Sequence, residues 1–143
     1  MATAIKTYAP DKVTVVFGGA ILTGYAEDSF IKIEMSTEAF TMHIGGDGEV
    51  SRTRNVDRTG KVTVKLKQTS DSNDILSAFY TADITSLQGY LPIIVKDNAG
   101  RTVAAGSSAW IQKLPDTEFG KEVGEREWIL DVADLDYFVG GNI

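Results

Sequence analysis

The chain has 143 residues, 43% hydrophobic and 24% charged, with a formal net charge of −6 and a sequence pI near 4.7. That length fits one domain, able to bury roughly 68–70% of the surface its unfolded chain exposes. The acidic balance argues against a dedicated nucleic-acid binder, whose phosphate affinity rests on Lys and Arg. The lack of cysteine removes disulfide and thiolate chemistry.

In chain order, Met1 to Lys12 has little periodicity and contains Pro10, which predicts an extended arm. Val13, Val15 and Phe17 alternate with polar or outward positions and predict a strand ending at Gly18-Gly19. Ala20 to Leu22 is a short apolar piece. Phe30 to Met35 is the next strand, with Ile31, Ile33 and Met35 on one face and Lys32 and Glu34 on the other. The first residues lack a basic stretch followed by an apolar run, so the expectation is folding in a cytoplasm, without a secretory leader. No apolar run approaches the length of a membrane-spanning helix.

The stretch Phe40 to Thr69 dominates the middle of the chain. Phe40, Met42 and Ile44 alternate with Thr41, His43 and Gly45, and Val62, Val64 and Leu66 alternate with Thr63, Lys65 and Lys67. Between them lie Gly45-Gly46-Asp47-Gly48, the segment Glu49 to Arg54, and the turn Asn55 to Gly60, rich in residues that tolerate turn dihedrals. This predicts a long hairpin system with charged strands (Arg52, Arg54, Lys61, Lys65, Lys67) and acids at the bends. Its apolar surface is too small for a pure core element, so it projects, lines something or meets a partner.

After Leu66 the period changes. Thr69 to Asp83 predicts one helix, with N-cap candidates among Ser70 to Asn73 and an apolar stripe of Ile75, Leu76, Phe79 and Tyr80 that needs a sheet to lie on. Asp83 to Gly89 is expected to be a loop. Leu91 to Lys96 is a strand, Asp97 to Gly100 a turn, and Arg101 to Lys113 the return strand. Its small residues, Ala104 to Ala109, suggest a bulge or the close approach of another backbone. Leu114 to Gly124 is a loop, and Glu125 to Val132 a strand with Trp128, Leu130 and Val132 facing inward. The tail, 133–143, either docks elsewhere or packs on its own domain. Trp110 and Trp128 are both expected in the core. The sum is about seven to nine short strands and one helix, a β-sandwich or barrel in a single domain, 1–143.

Candidate chemistry is sparse. His43 is the single histidine, on the polar side of its strand, so zinc constellations are out of reach. Gly45-Gly46-Asp47-Gly48 lacks the Gly-Lys-Ser/Thr ending of a phosphate loop and does not lead into a helix. Asp116, Glu118, Glu122, Glu125, Glu127, Asp131, Asp134 and Asp136 do not match a calcium loop and read as a solvated acidic surface. No catalytic, cofactor or metal residue is expected, and no enzyme.

Several stretches resemble one family. Val16-Phe17-Gly18-Gly19-Ala20-Ile21-Leu22-Thr23-Gly24-Tyr25 resembles the N-terminal signature of the tail tube proteins of contractile-tailed phages. Gly46 to Arg52 with Asn55 and Asp57, Gln68 to Ser77, and Phe119 to Glu122 with Arg126-Glu127-Trp128 are similar to the same family. The resemblance runs from about Val13 to Val132. It implies a sandwich or barrel flanked by one helix. Subunits would form hexameric rings with a continuous inner β-barrel, and the rings would stack into a hollow tube. The tube would enclose a tape-measure protein, conduct the genome during ejection, and sit within a sheath between baseplate and tail terminator.

On that reading the protein belongs to a virion tail assembled in the host cytoplasm, with no membrane contact. An acidic subunit suits a channel that DNA passes without sticking. Residues 45–61 are expected to carry inter-ring contacts, with Asp47, Glu49, Arg52, Arg54, Asp57 and Arg58 as ion-pairing candidates. The helix stripe is expected to face away from the lumen. Two alternatives are the tube of a phage-derived contractile injection device and a ligand-binding β-sandwich. The latter predicts an exposed aromatic platform, whereas the aromatics are expected largely at inward positions.

Overall fold

The computed structural model describes residues 5–143; Met1 to Ala4, the start of the expected arm, lie outside the described residues. Pro10–Lys12 forms one 3-10 turn. It leads into β1 (Val13–Phe17), β2 (Ala20–Ile21), β3 (Ile31–Met35), β4 (Phe40–Ile44), β5 (Val50–Arg54) and β6 (Gly60–Lys67). Helix α1 (Ser72–Ser86) follows, then β7 (Leu91–Asp97), β8 (Val103–Lys113), β9 (Glu125–Val132) and β10 (Asp136–Phe138). The mainly β architecture with one helix is the one that the alternation predicts.

Eight strands form one sheet in the order β2-β1-β7-β8-β9-β6-β3, with β10 beside the start of β8; β4 and β5 form a separate two-stranded sheet. The alternating inward residues of the large sheet enter one apolar cluster. Val15 and Phe17 come from β1, Val62, Val64 and Leu66 from β6, and Trp128, Leu130 and Val132 from β9. Residues of β1, β7 and β3 (Val13, Val95, Ile31, Ile33) line a common cleft of about 460 Å3. The sheet therefore curls over its own inner face and leaves a seam between β1 and β3, whose outer edges stay partly unpaired.

Helix α1 lies over the core. Leu76 is fully buried and Phe79 meets Phe17 edge to face at 5.4 Å. Burying a leucine of this kind stabilises by about 1.5–3 kcal/mol. The helix start is tied to the sheet by side chains. Ser70 Oγ accepts the Ser72 N–H (3.2 Å), and Ser72 Oγ accepts the Thr23 N–H (2.8 Å). Asn73 donates to the carbonyls of Lys67 and Ser70 and accepts the Trp128 indole N–H at 2.9 Å. At the other end Leu87, with φ 61°, closes the helix. The helix thus runs through Ser86, three residues past its expected end at Asp83, and the Asp83 carboxylate accepts the Gly89 N–H just beyond it.

The small residues of β8 serve both expected ends. The register with β7 shifts by a bulge between Leu91 and Ile93. A Cβ on Gly106 would stand 2.3 Å from Val132 Cγ1, so only glycine lets the two strands close.

Three expectations are corrected, and the alternative left open for the tail is decided. Val62 to Leu66 does not return against Phe40 to Ile44: it pairs with β3 and β9 in the core, while β4 pairs with β5. Alternation identifies strands but not their partners, and β5 carries too few apolar residues to announce itself. Trp110 is exposed rather than core, since the bulge upstream turns it outward. Tyr8, Phe40, Tyr90, Phe119 and Phe138 are also exposed, so the aromatics are not largely inward. The C-terminal tail packs on its own domain: β10 pairs with β8, Leu135 is buried, and Arg101 N–H donates to the Gly141 carbonyl.

Candidate functional site

The feature with no role in the core is the β4–β5 ribbon. It leaves the sheet where β3 ends and β6 begins, held at its base by Ser36 N–H to Thr59 O and Asn55 N–H to Ala39 O. Every residue of both strands is exposed. The register pairs Phe40 with Arg54, Met42 with Arg52 and Ile44 with Val50, and in alternation Thr41 with Thr53 and His43 with Ser51. Directly opposed residues share a face. One face is therefore apolar with two arginines, and the other is hydroxyls and one imidazole.

The apolar face stands in the open: Phe40 is 46% exposed, Met42 and Ile44 66%, and Val50 62%. Arg52 lays its guanidinium over the Phe40 ring at 4.1 Å. Isolated two-stranded ribbons are marginal in water, and a contiguous exposed apolar face marks an interaction surface. Where its alternation predicts a charged, projecting element, the ribbon is more specifically amphipathic.

The six candidate residues divide by what they touch. Asp47 Oδ1 accepts the Glu49 N–H at 3.0 Å and shapes the ribbon tip. Asp57 Oδ1 accepts the Thr59 N–H (2.9 Å) and hydroxyl (2.8 Å), and these bonds hold its carboxyl below the usual carboxylate range. Arg58 pairs with Asp134 (3.2 Å) and Asp136 (3.3 Å) of the C-terminal segment. Those three residues build the ribbon and its base. Among the described residues Glu49, Arg52 and Arg54 make no ion pair, and Arg52 instead lies over the Phe40 ring. Arg54 does line a base cleft of about 390 Å3 with Met35, Phe40, Leu135 and Tyr137.

A second feature escaped the strand reading. Arg126 takes an inward position, in parity with Trp128, Leu130 and Val132, and is 7% exposed. Its guanidinium donates to the carbonyls of Glu125 (2.9 Å) and Glu118 (3.4 Å) and lies 5.4 Å from the centre of the Phe119 ring. The parity of the strand was the signal that could have found it.

No group of three or more His, Asp or Glu residues suited to a metal occurs among the described residues. Among the described residues no helix is long and apolar enough to cross a membrane.

The family model for the bacteriophage PhiTE tail tube protein matches residues 12–140. Structural protein ORF10 of Pseudomonas phage KPP10 is 33% identical, over 99% of this chain and 87% of that protein. Among solved structures, the tube-terminating cap of the anti-feeding prophage superposes with a TM-score of 0.61 at 10% identity, covering 96% of this chain and 95% of that one. The sheath/tube terminator of the extracellular contractile injection system PVC gives 0.59 at 12%, covering 96% and 100%. A chain from the extended PVC sheath–tube complex gives 0.58 at 12%, covering 96% and 93%. At these identities the structural likenesses speak to fold alone.

Proposed function

The chain belongs to the PhiTE tail tube protein family and is a phage structural protein, and from that premise we propose how its surfaces build the tube. Subunits close into hexameric rings, and rings stack into a hollow conduit for the genome. The β4–β5 ribbon makes the ring-to-ring contact. Its exposed apolar face, Phe40, Met42, Ile44 and Val50, is the observation that carries this reading. Covering that face supplies the association energy, and Glu49, Arg52 and Arg54 set its register by charge. The partly unpaired edges at the seam, along β1 and β3, are where neighbouring subunits extend the sheet around the ring. Pairing them there also removes templates for aggregation.

The same reading gives the protein a structural rather than catalytic role. Sheath outside, tape-measure protein inside, and baseplate and terminator at the ends are its expected partners. The virion is its destination after assembly in the host cytoplasm. One second reading has the same fold, the tube of a phage-derived contractile injection device.

The test is negative-stain electron microscopy of the purified protein beside sizing chromatography. Hollow tubes of uniform width are expected. The double reversal Arg52→Glu with Arg54→Glu is expected to abolish tubes while leaving the circular dichroism melt of the subunit unchanged. Tubes formed by that variant would remove the ribbon from the ring-to-ring contact.

A further inference from the structure

Arg126 raises a question the tube reading leaves open. A buried cation is costly unless paired and hydrogen-bonded. This one offers five N–H donors and has hydrogen bonds to two carbonyls. Asp116, Glu118 and Glu122 belong to the adjoining loop, yet none forms an ion pair with it. Arg126 also lines a cleft of about 500 Å3 whose walls include Leu114, Pro115, Phe119, Trp128 and Gln68. Phe119, at 77% exposed, stands at its rim. The cleft therefore combines apolar walls with one positive charge lacking a carboxylate.

The chain presents a matching shape elsewhere. The ribbon tip, Ile44-Gly-Gly-Asp-Gly-Glu-Val50, is two acids flanked by two exposed aliphatic residues. Its backbone is thin beyond local need. Gly46 has no positive φ, and a Cβ there would meet nothing within 4 Å, so nothing in its own subunit requires glycine. A close approach from outside would. The two features also sit at opposite ends of β6. The ribbon departs beside Gly60, and the cleft lies beyond Lys67, where Gln68 N–H donates to the Gly124 carbonyl. Eight residues of strand separate them by roughly 25 Å. A face at one end complementary to a face at the other is a heterologous pair, which repeats along an axis where the rotation between copies does not close a ring.

We infer that the Arg126 cleft receives the acidic ribbon tip of a second copy of this chain in the next ring, with Glu49 supplying the carboxylate. The inference rests on the stacked-ring reading and names the surface the ribbon meets. The tip acids answer the buried guanidinium, and Ile44 and Val50 pack against Leu114, Pro115 and Phe119.

The natural chain has no cysteine, so an engineered pair reports one contact alone. Ser51→Cys beside the tip and Thr117→Cys on the cleft loop are exposed and conservative in size. Tubes of the double variant, oxidised or bridged by a short bismaleimide, are expected to give a ladder of covalent multimers on a non-reducing gel. Each single variant should lose that ladder. Glu49→Lys, a change on an exposed tip that cannot unfold the core, is expected to lower tube yield at least tenfold. Restoration of tubes by Arg126→Glu in the Glu49→Lys background would strengthen the pairing. Tubes of the double variant without a ladder would overturn the inference and leave the stacked tube standing. Wild-type chain that stays monomeric at every concentration would overturn the stacked tube itself, and this inference with it.

Discussion

At the scale of single residues, the subunit is held by a few side chains that each do two jobs. Asn73 closes the first turn of α1 and anchors the buried Trp128 indole. Asn73→Ala leaves that indole N–H without its partner, and should lower unfolding free energy in urea by about 1–3 kcal/mol. Asp57 is the residue-scale handle on pH. Its carboxyl is held low by the Thr59 N–H and hydroxyl, so the turn it builds is favoured while the group is ionised. The contribution is present above the ordinary carboxylate value and is lost as pH falls through the lower folded value. Hydrogen exchange at the Thr59 amide should therefore show protection fading in acid, and Asp57→Asn should show weak protection at every pH.

At the scale of elements, close approaches set the limits. A Cβ on Gly60 would stand 2.3 Å from Leu135 Cδ2 and 2.9 Å from the Glu34 carbonyl. Gly60→Ala must push apart β3, β6 and the C-terminal segment, and should cost about 1–3 kcal/mol, read as a lowered Tm. The elements were largely legible in the sequence. β6 alternates along its length and β1, β3 and β9 along most of theirs because each turns one face to the core, and α1 changes the period where the chain leaves the sheet. What was not legible follows from contacts that period alone does not encode. β5, Val-Ser-Arg-Thr-Arg, has no buried face to impose alternation. Trp110 faces outward because of a bulge several residues away. Of the candidate site, the projecting ribbon could be read from its lack of core-forming residues. Its amphipathic faces required the register, which turns a list of charges into an apolar side and a hydroxyl side. Arg126 is readable from parity alone, against a charge that suggests exposure.

At the scale of the whole molecule, the subunit leaves two kinds of surface unfinished: an apolar ribbon face, and partly unpaired edges on either side of the β1–β3 seam. Assembly should finish both. Hydrogen exchange compared between isolated subunit and tube is expected to gain protection in 40–54 and along β1 and β3, with β6 unchanged because it is already paired with β9 along its whole length and with β3 over Gly60 to Val64. Gains confined to other segments would place the assembly contacts elsewhere.

Among the described residues the ribbon leaves from one end of the sheet only, and nothing like it stands at the other. Copies related by translation along a common axis therefore give a filament with polarity. On the proposed stacking, one terminus displays uncovered ribbons, and the opposite terminus displays the surface that would have covered them. Growth at the two termini of such a filament is chemically inequivalent, and a molecule that covers one terminus does not fit the other.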